Sequence, residues 1–222
     1  MTMKHVLPRI RSRKLSYQPS RDGVLLLDGE IRYPRIAAAQ APNAGNQMSA
    51  RCHLDAVEYL LFLQSQGYDA AQTVWKQKGP LPLSARQGFS VTYLGLERMS
   101  LVFQRTESWQ SGPQQLGRTF CLRTGRLLAL HDLYAGRYAD AIYEYILDEI
   151  QREESSYYEN YKVNARKHLQ EENYFLTPQG VALFYPPDTI APEEKGVLHF
   201  TIPYSLLEEY QIPRQTEEEP AP

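Results

Sequence analysis

Apolar residues recur at helical spacing in three stretches of the chain. Residues 49–66 predict an amphipathic helix, with Ser49 as its N-cap and Gly67 as the residue that ends it. A shorter helix is predicted over residues 69–78, where Gly79-Pro80 ends it. The most regular pattern covers residues 137–153, and its apolar stripe consists of Ala139, Ile142, Tyr143, Ile146, Leu147 and Ile150.

Alternating apolar and polar positions, which are typical of strands, lie between these helices. Strands are predicted over residues 89–94, 99–106 and 116–122, with a continuation at 127–130. In the second of these, Ser100 and Gln104 alternate with apolar residues and predict one solvent-facing side.

Turn signals divide the two ends of the chain. Asp28-Gly29 predicts a tight hairpin between residues 24–27 and 30–33, and residues 37–46 predict a loop. Near the other end, Ser156 and Glu159 predict a capping box that starts a helix reaching about residue 169. A hairpin follows, with Thr177-Pro178-Gln179-Gly180 as its turn, and residues 198–202 predict the last strand.

Strands grouped together, then helices, then strands again predict an α+β fold, an antiparallel sheet or sheets with helices packed on one side. The predicted division is a disordered basic arm (1–13), an N-terminal α+β region (14–85), a C-terminal domain (86–210) and an acidic tail (211–222).

Charge is uneven although the chain's formal net charge is only −2. Residues 1–35 hold eight Lys/Arg against three Asp/Glu, and the rest holds sixteen against twenty-three. Such a balance predicts no nucleic-acid partner overall, although a basic arm offers an alternative contact with an acidic surface or a nucleic acid. No apolar run is long enough for a membrane span, and no signal peptide precedes the first helix.

Reactive residue types form no catalytic or metal-binding motif along the chain. Cys52 and Cys121 predict two free thiols, with one disulfide as the alternative. The five histidines are scattered, and the carboxylates at 140, 144 and 148 predict a solvated helix face rather than a metal site. No cofactor is expected, because the glycine-rich phosphate-binding loops are absent from the sequence.

Several segments in the second half carry a family resemblance. They are Phe120-Cys121-Leu122-Arg123-Thr124-Gly125-Arg126, Leu130-His131-Asp132-Leu133-Tyr134, Tyr174-Phe175-Leu176-Thr177-Pro178-Gln179-Gly180-Val181, Ile190-Ala191-Pro192 and Phe200-Thr201-Ile202-Pro203-Tyr204. In this order they resemble a domain of unknown function found in RsiV, the anti-sigma-V factor, and beside peptidoglycan deacetylase domains. Glu193-Glu194-Lys195 stands where that family often has aromatic and small residues.

The resemblance implies binding rather than catalysis, since RsiV senses lysozyme by binding it. We therefore expect a non-catalytic module that recognises a lysozyme-like protein or a cell-envelope glycan. Tyrosine is abundant, with sixteen copies, and suits such surfaces because it joins a large apolar ring to a polar tip. The predicted binding residues are Trp109, Tyr143, Tyr157, Tyr158 and Tyr161.

Two alternatives stay open. A cell-wall hydrolase is the competing class, because folds bring together sites that sequence does not reveal. The compartment is also open: the missing export segment favours the cytoplasm, whereas the family resemblance favours the outside of the membrane.

Overall fold

Strands and helices alternate in blocks in the computed structural model, which describes residues 6–212. The strands are β1 (Arg9–Tyr17), β2 (Ser20–Arg21), β3 (Val24–Leu25), β4 (Leu27–Ala37), β5 (Leu83–Leu94), β6 (Arg98–Glu107), β7 (Gln114–Cys121), β8 (Leu127–Leu128), β9 (Tyr174–Leu176), β10 (Gly180–Tyr185) and β11 (Leu198–Pro203). The α-helices are α1 (Pro42–Phe62), α2 (Tyr68–Lys78), α3 (Tyr138–Gln151), α4 (Tyr161–Lys167) and α5 (Tyr204–Leu207).

Two main sheets organise the fold, and β2 and β3 form a separate two-stranded hairpin. The larger has six strands in the order β1-β4-β5-β6-β7-β8, and the smaller has the order β11-β10-β9. The expected α+β class is confirmed, with sheets packed against helices. One pair departs from the antiparallel expectation, because β4 and β5 run parallel. Helices α1 and α2 supply the crossover that a parallel pair requires.

The two sheets lie against each other, and helices cover their outer faces. Helix α1 packs on the larger sheet, whose opposite face contacts β9. There the amide of Leu176 donates to the Ser100 hydroxyl at 2.9 Å. On the far side of the smaller sheet, the Tyr185 hydroxyl donates to the carbonyl of Ala165 in α4 at 2.9 Å.

This layering overturns the predicted solvent-facing side of β6. Ser100 is fully buried, while Gln104 is exposed as expected. Alternating polar residues along a strand indicate a solvent-facing side only where no other element packs on that side. In β6, strand β9 covers the end that carries Ser100.

The predicted hairpin at Asp28-Gly29 is wrong. Both residues lie inside β4, which pairs with β1 on one side and with β5 on the other. The tight turn falls instead at Asp22-Gly23, between β2 and β3, with φ values of 50° and 77°. Pairing on both edges favours an extended Asp28-Gly29 over a local turn.

Part of the basic arm forms a strand. Residues 9–13, predicted to be disordered, form the first half of β1 and pair with β4. Ile10 and Leu15 explain the order, because each packs against a hydrophobic cluster of the core. Residues 1–5 lie outside the described residues, and strand β5 spans the predicted boundary between residues 85 and 86.

Helix ends differ from the predictions more than helix positions do. Helix α1 begins at Pro42 inside the predicted loop, and Ser49 lies within it, donating to the carbonyl of Gly45 at 2.8 Å. Gly67 does not end the helix: a π-helical turn over Leu63–Gly67 continues into α2. The predicted helix start at Ser156 is also wrong, because that residue lies in a short 3-10 turn before α4.

Other elements follow the predictions closely. Helix α3, α2 and the hairpin of β9 and β10 lie where the sequence places them. At the chain's end, Gln211 bridges to Tyr134, while residues 213–222 of the predicted acidic tail lie outside the described residues. Within residues 6–212, no helix is both long and apolar enough to cross a membrane.

Candidate binding surface

Four of the five predicted binding residues come together beside α3 and α4. Tyr143 lies on α3, Tyr161 begins α4, and Tyr157 and Tyr158 lie in the segment between them. The rings of Tyr157 and Tyr161 are 6.0 Å apart. Tyr161 belongs to one hydrophobic cluster beneath the helices, and Tyr143 and Tyr157 pack against it.

Two of these tyrosines, Tyr161 and Tyr143, mainly stabilise the packing of α4 on α3. Tyr161 is only 2% exposed, and its hydroxyl donates to Glu154 Oε1 at 2.8 Å. Burial, followed by the bond to Glu154, raises the pKa of Tyr161 to about 12. Tyr143 donates to the main-chain oxygen of Lys162 at 3.1 Å and carries the Arg166 guanidinium 5.1 Å from its ring centre. These contacts fix α4 on α3.

Tyr157 and Tyr158 are half-buried and present part of each ring to solvent. The Tyr158 hydroxyl donates to Asp188, and this bond, followed by burial, raises the pKa of Tyr158 to about 12. Burial is the main cause that raises the pKa of Tyr157, and nearby Glu153 and Glu149 add to it. Both rings are therefore held in place among carboxylates.

The carboxylates come largely from the loop before β11. Asp188 has a φ of 59°, a left-handed conformation that aspartate tolerates better than most residues. Glu193 and Glu194 are exposed and lie close enough to contribute to the raised pKa of Tyr158. We call this region the tyrosine–carboxylate surface, defined by Tyr157, Tyr158, Glu153, Asp188, Glu193 and Glu194.

The surface and its rim are strongly acidic. Six carboxylates and two cations lie on or beside it, which gives a local net charge of −4. The carboxylates are Glu149, Glu153, Glu154, Asp188, Glu193 and Glu194, and the cations are Arg152 and Lys195. Lys195 lies 4.0 Å from Glu153 and 5.8 Å from the Tyr157 ring centre. In the described part of the chain, no three His, Cys, Asp or Glu side chains are placed to hold a metal ion.

Trp109 belongs elsewhere. Its indole packs in the hydrophobic cluster of α1 and α2, against Gly67 of the π-helical turn, rather than beside the tyrosines. The loop that carries it does reach the surface, because the Ser111 hydroxyl donates to Glu193. The loop thus contacts the carboxylate side of this region, whereas its tryptophan packs against α1 and α2.

A second polar cluster, under α1, is not evident in the sequence pattern. Asp55 and Arg118 form a buried ion pair, and Tyr59 donates to Glu107 Oε1 at 2.5 Å. Burial raises the pKa of the Glu107 carboxyl, while the bond from Tyr59 and the charge of Arg105 oppose the shift. An aspartate beside Ala56 on an otherwise apolar helix face is the one sequence signal of this cluster.

Comparison with known proteins assigns part of the chain. Residues 131–205 match the family model described as "Protein of unknown function (DUF3298)". This DUF3298 region covers about a third of the chain, includes the tyrosine–carboxylate surface, and supports the resemblance at family level without singling out the RsiV type. The chain matches no curated protein.

Two solved DUF3298 structures share the fold along nearly the whole chain. A member from Bacteroides fragilis aligns with a TM-score of 0.61 and 13% identity, covering 93% of this chain and 94% of its own. A DUF3298 family protein from Pseudomonas aeruginosa aligns with a TM-score of 0.55 and 13% identity, covering 92% and 95%. At this identity the likeness concerns the fold alone.

Proposed function

We propose that the chain is a non-catalytic recognition module whose tyrosine–carboxylate surface binds a basic protein of the lysozyme type. The observation that carries the proposal is the pair of ordered tyrosines set among six carboxylates with a local net charge of −4. Tyrosine anchors interfaces because its ring buries much area with little loss of side-chain freedom. The surrounding carboxylates steer a cationic partner and raise its association rate.

Isothermal calorimetry and stopped-flow binding with lysozyme test the proposal. Asp188→Asn with Glu194→Gln is expected to slow association about tenfold at low salt and to weaken its salt dependence. Tyr158→Ala is expected to speed dissociation, at a cost of about 2 kcal/mol in binding. Glu58→Gln with Asp69→Asn removes the same charge from exposed positions on α1 and α2 and is the matched control.

Each alternative has its own signature in the same experiments. No heat and no capture of lysozyme at low salt would remove the proposal. Binding of soluble peptidoglycan fragments that survives the carboxylate substitutions would assign the module to a glycan. Release of new reducing ends from peptidoglycan by the wild-type chain would support the hydrolase instead.

A further inference from the structure

A second charged face lies at the opposite end of the sequence, on the ribbon formed by β1 and β4. Strand β1 pairs with β4 along all of its length, with Arg11 directly opposite Arg35 and Arg13 opposite Tyr33. Residues opposite each other, and residues two apart along a strand, share one face. Arg9, Arg11, Arg13 and Arg35 therefore form one arginine face, and all four are exposed.

This arrangement costs stability. Opposite residues in an antiparallel pair have Cβ atoms about 5 Å apart, and like charges there destabilise the pair. Among residues 6–212, no carboxylate forms an ion pair with any member of the arginine face. Protection of an edge strand explains charges on β1, but it does not require an arginine facing them from β4.

The other face of the same ribbon shows the contrast. Lys14 lies opposite Arg32. Glu30 forms an ion pair with each of them, at 3.5 Å from Lys14 and 2.7 Å from Arg32. Among residues 6–212, one like-charge pair is thus neutralised and the other has no carboxylate partner, which points to an external anion.

A groove of about 560 Å³ lies beside the arginine face, between the ribbon and α1. None of its lining residues is acidic. The Tyr33 and His53 rings lie 5.2 Å apart in its wall, tilted by 42° to each other, and place two aromatic rings beside the cations. The lining residues that bear on binding are Arg13, Tyr33, Arg35, Asn46 and His53.

We propose that the arginine face and this groove bind a linear, phosphate-bearing polyanion. A phosphate group presents several strong acceptor oxygens and accepts from more than one guanidinium group at once, which makes arginine clusters its usual binding sites. Along β1 the arginines repeat every two residues, about 6.8 Å apart, which suits an extended chain of phosphates. The proposal is independent of the tyrosine–carboxylate surface, which carries the opposite charge.

Fluorescence anisotropy with the full chain and labelled linear polyphosphate tests it. Arg11→Thr with Arg35→Thr is expected to weaken binding about a hundredfold and to reduce the slope of log affinity against log salt by about 2. Arg32→Thr, a control that removes one positive charge from the other face, is expected to change affinity by about twofold or less. The double variant should melt at or above the wild-type temperature, because it relieves a like-charge pair.

Further probes decide between sources of the anion. Binding of an oligothymidylate with the same arginine dependence supports the phosphate site and identifies nucleic acid as its source. Polyphosphate binding without oligothymidylate binding supports the site with a non-nucleotide source. No polyphosphate binding at low salt, equal loss in Arg32→Thr, or equal binding of poly-glutamate would overturn the proposal.

Discussion

Arg118 and Asp55 meet in a two-point ion pair in the interior, with Nε–Oδ2 and Nη2–Oδ1 distances of 2.9 Å each. The aspartate comes from α1 and the arginine from β7, and their side chains are 0% and 5% exposed. Arg51 adds a third bond to the same carboxylate at 2.9 Å. This pair links the helix layer to the centre of the larger sheet.

Removal of Asp55 is expected to destabilise the fold strongly. Asp55→Ala leaves the Arg118 guanidinium buried without a counter-charge, which typically costs about 3–5 kcal/mol. Arg51→Ala removes a partner that is 36% exposed and should cost about 1 kcal/mol or less. Urea unfolding measures both. A loss below about 1 kcal/mol in Asp55→Ala would contradict the assigned role of the pair.

Glu107 predicts a pH dependence of stability. Its pKa is raised in the folded chain, chiefly by burial, so the folded state holds a proton that the unfolded state releases. Stability is therefore expected to fall as pH rises from the ordinary glutamate range through the folded pKa. Glu107→Gln keeps an acceptor for Tyr59 and removes the titration.

Comparing the stability of Glu107→Gln with that of wild type shows in which direction folding shifts the pKa of Glu107. Glu107→Gln is expected to be more stable than wild type at neutral pH, with the difference shrinking towards pH 4. Thermal melts between pH 4 and pH 8 provide the measurement, with Glu58→Gln as an exposed control. A variant whose advantage grew on acidification would show that the folded pKa is lowered instead.

Gly117 is expected to tolerate no side chain. A Cβ atom there would lie 1.9 Å from the carbonyl oxygen of Tyr174, so β7 and β9 would have to separate. Gly117→Ala should cost about 3 kcal/mol or more, since backbone cannot yield as a flexible side chain does. Gly88→Ala is the control, because its Cβ would meet nothing within 4 Å. Chemical unfolding separates the two, and equal stabilities would refute the close approach.

The sequence predicted well what depends on neighbours along the chain. The stripe of Ile142, Ile146 and Ile150 sets the buried face of α3, and the turn before Gly180 sets its hairpin. Asp28-Gly29 failed as a turn signal because distant β5 pairs with it, and Gly67 failed as a helix end within a π-helical turn. Such outcomes depend on partners that local patterns do not contain.

The residues of the candidate surface likewise divide into those that local sequence predicted and those that it did not. Tyr157 and Tyr158 were predicted because they stand close together in an aromatic-rich stretch. Asp188 was missed, since its link to Tyr158 joins residues 30 positions apart. Trp109 was misplaced because the loop pattern reveals exposure of the loop and not the direction of its side chains. Pairings across the chain are decided by packing, which local sequence does not encode.

The two free thiols are expected to differ sharply in reactivity. Cys52 is fully buried, and burial above all raises its pKa to about 12, which leaves almost no thiolate at neutral pH. At Cys121 burial acts in the same direction, but hydrogen bonds from Thr124 and Arg123 outweigh it and lower the pKa. Iodoacetamide at neutral pH should therefore label Cys121 in the folded chain and reach Cys52 only after unfolding, as peptide mass spectrometry would show. Cys121→Ser provides the control, since it should leave the folded chain unlabelled. Equal labelling of both cysteines in the folded wild type would contradict the burial of Cys52 in the core.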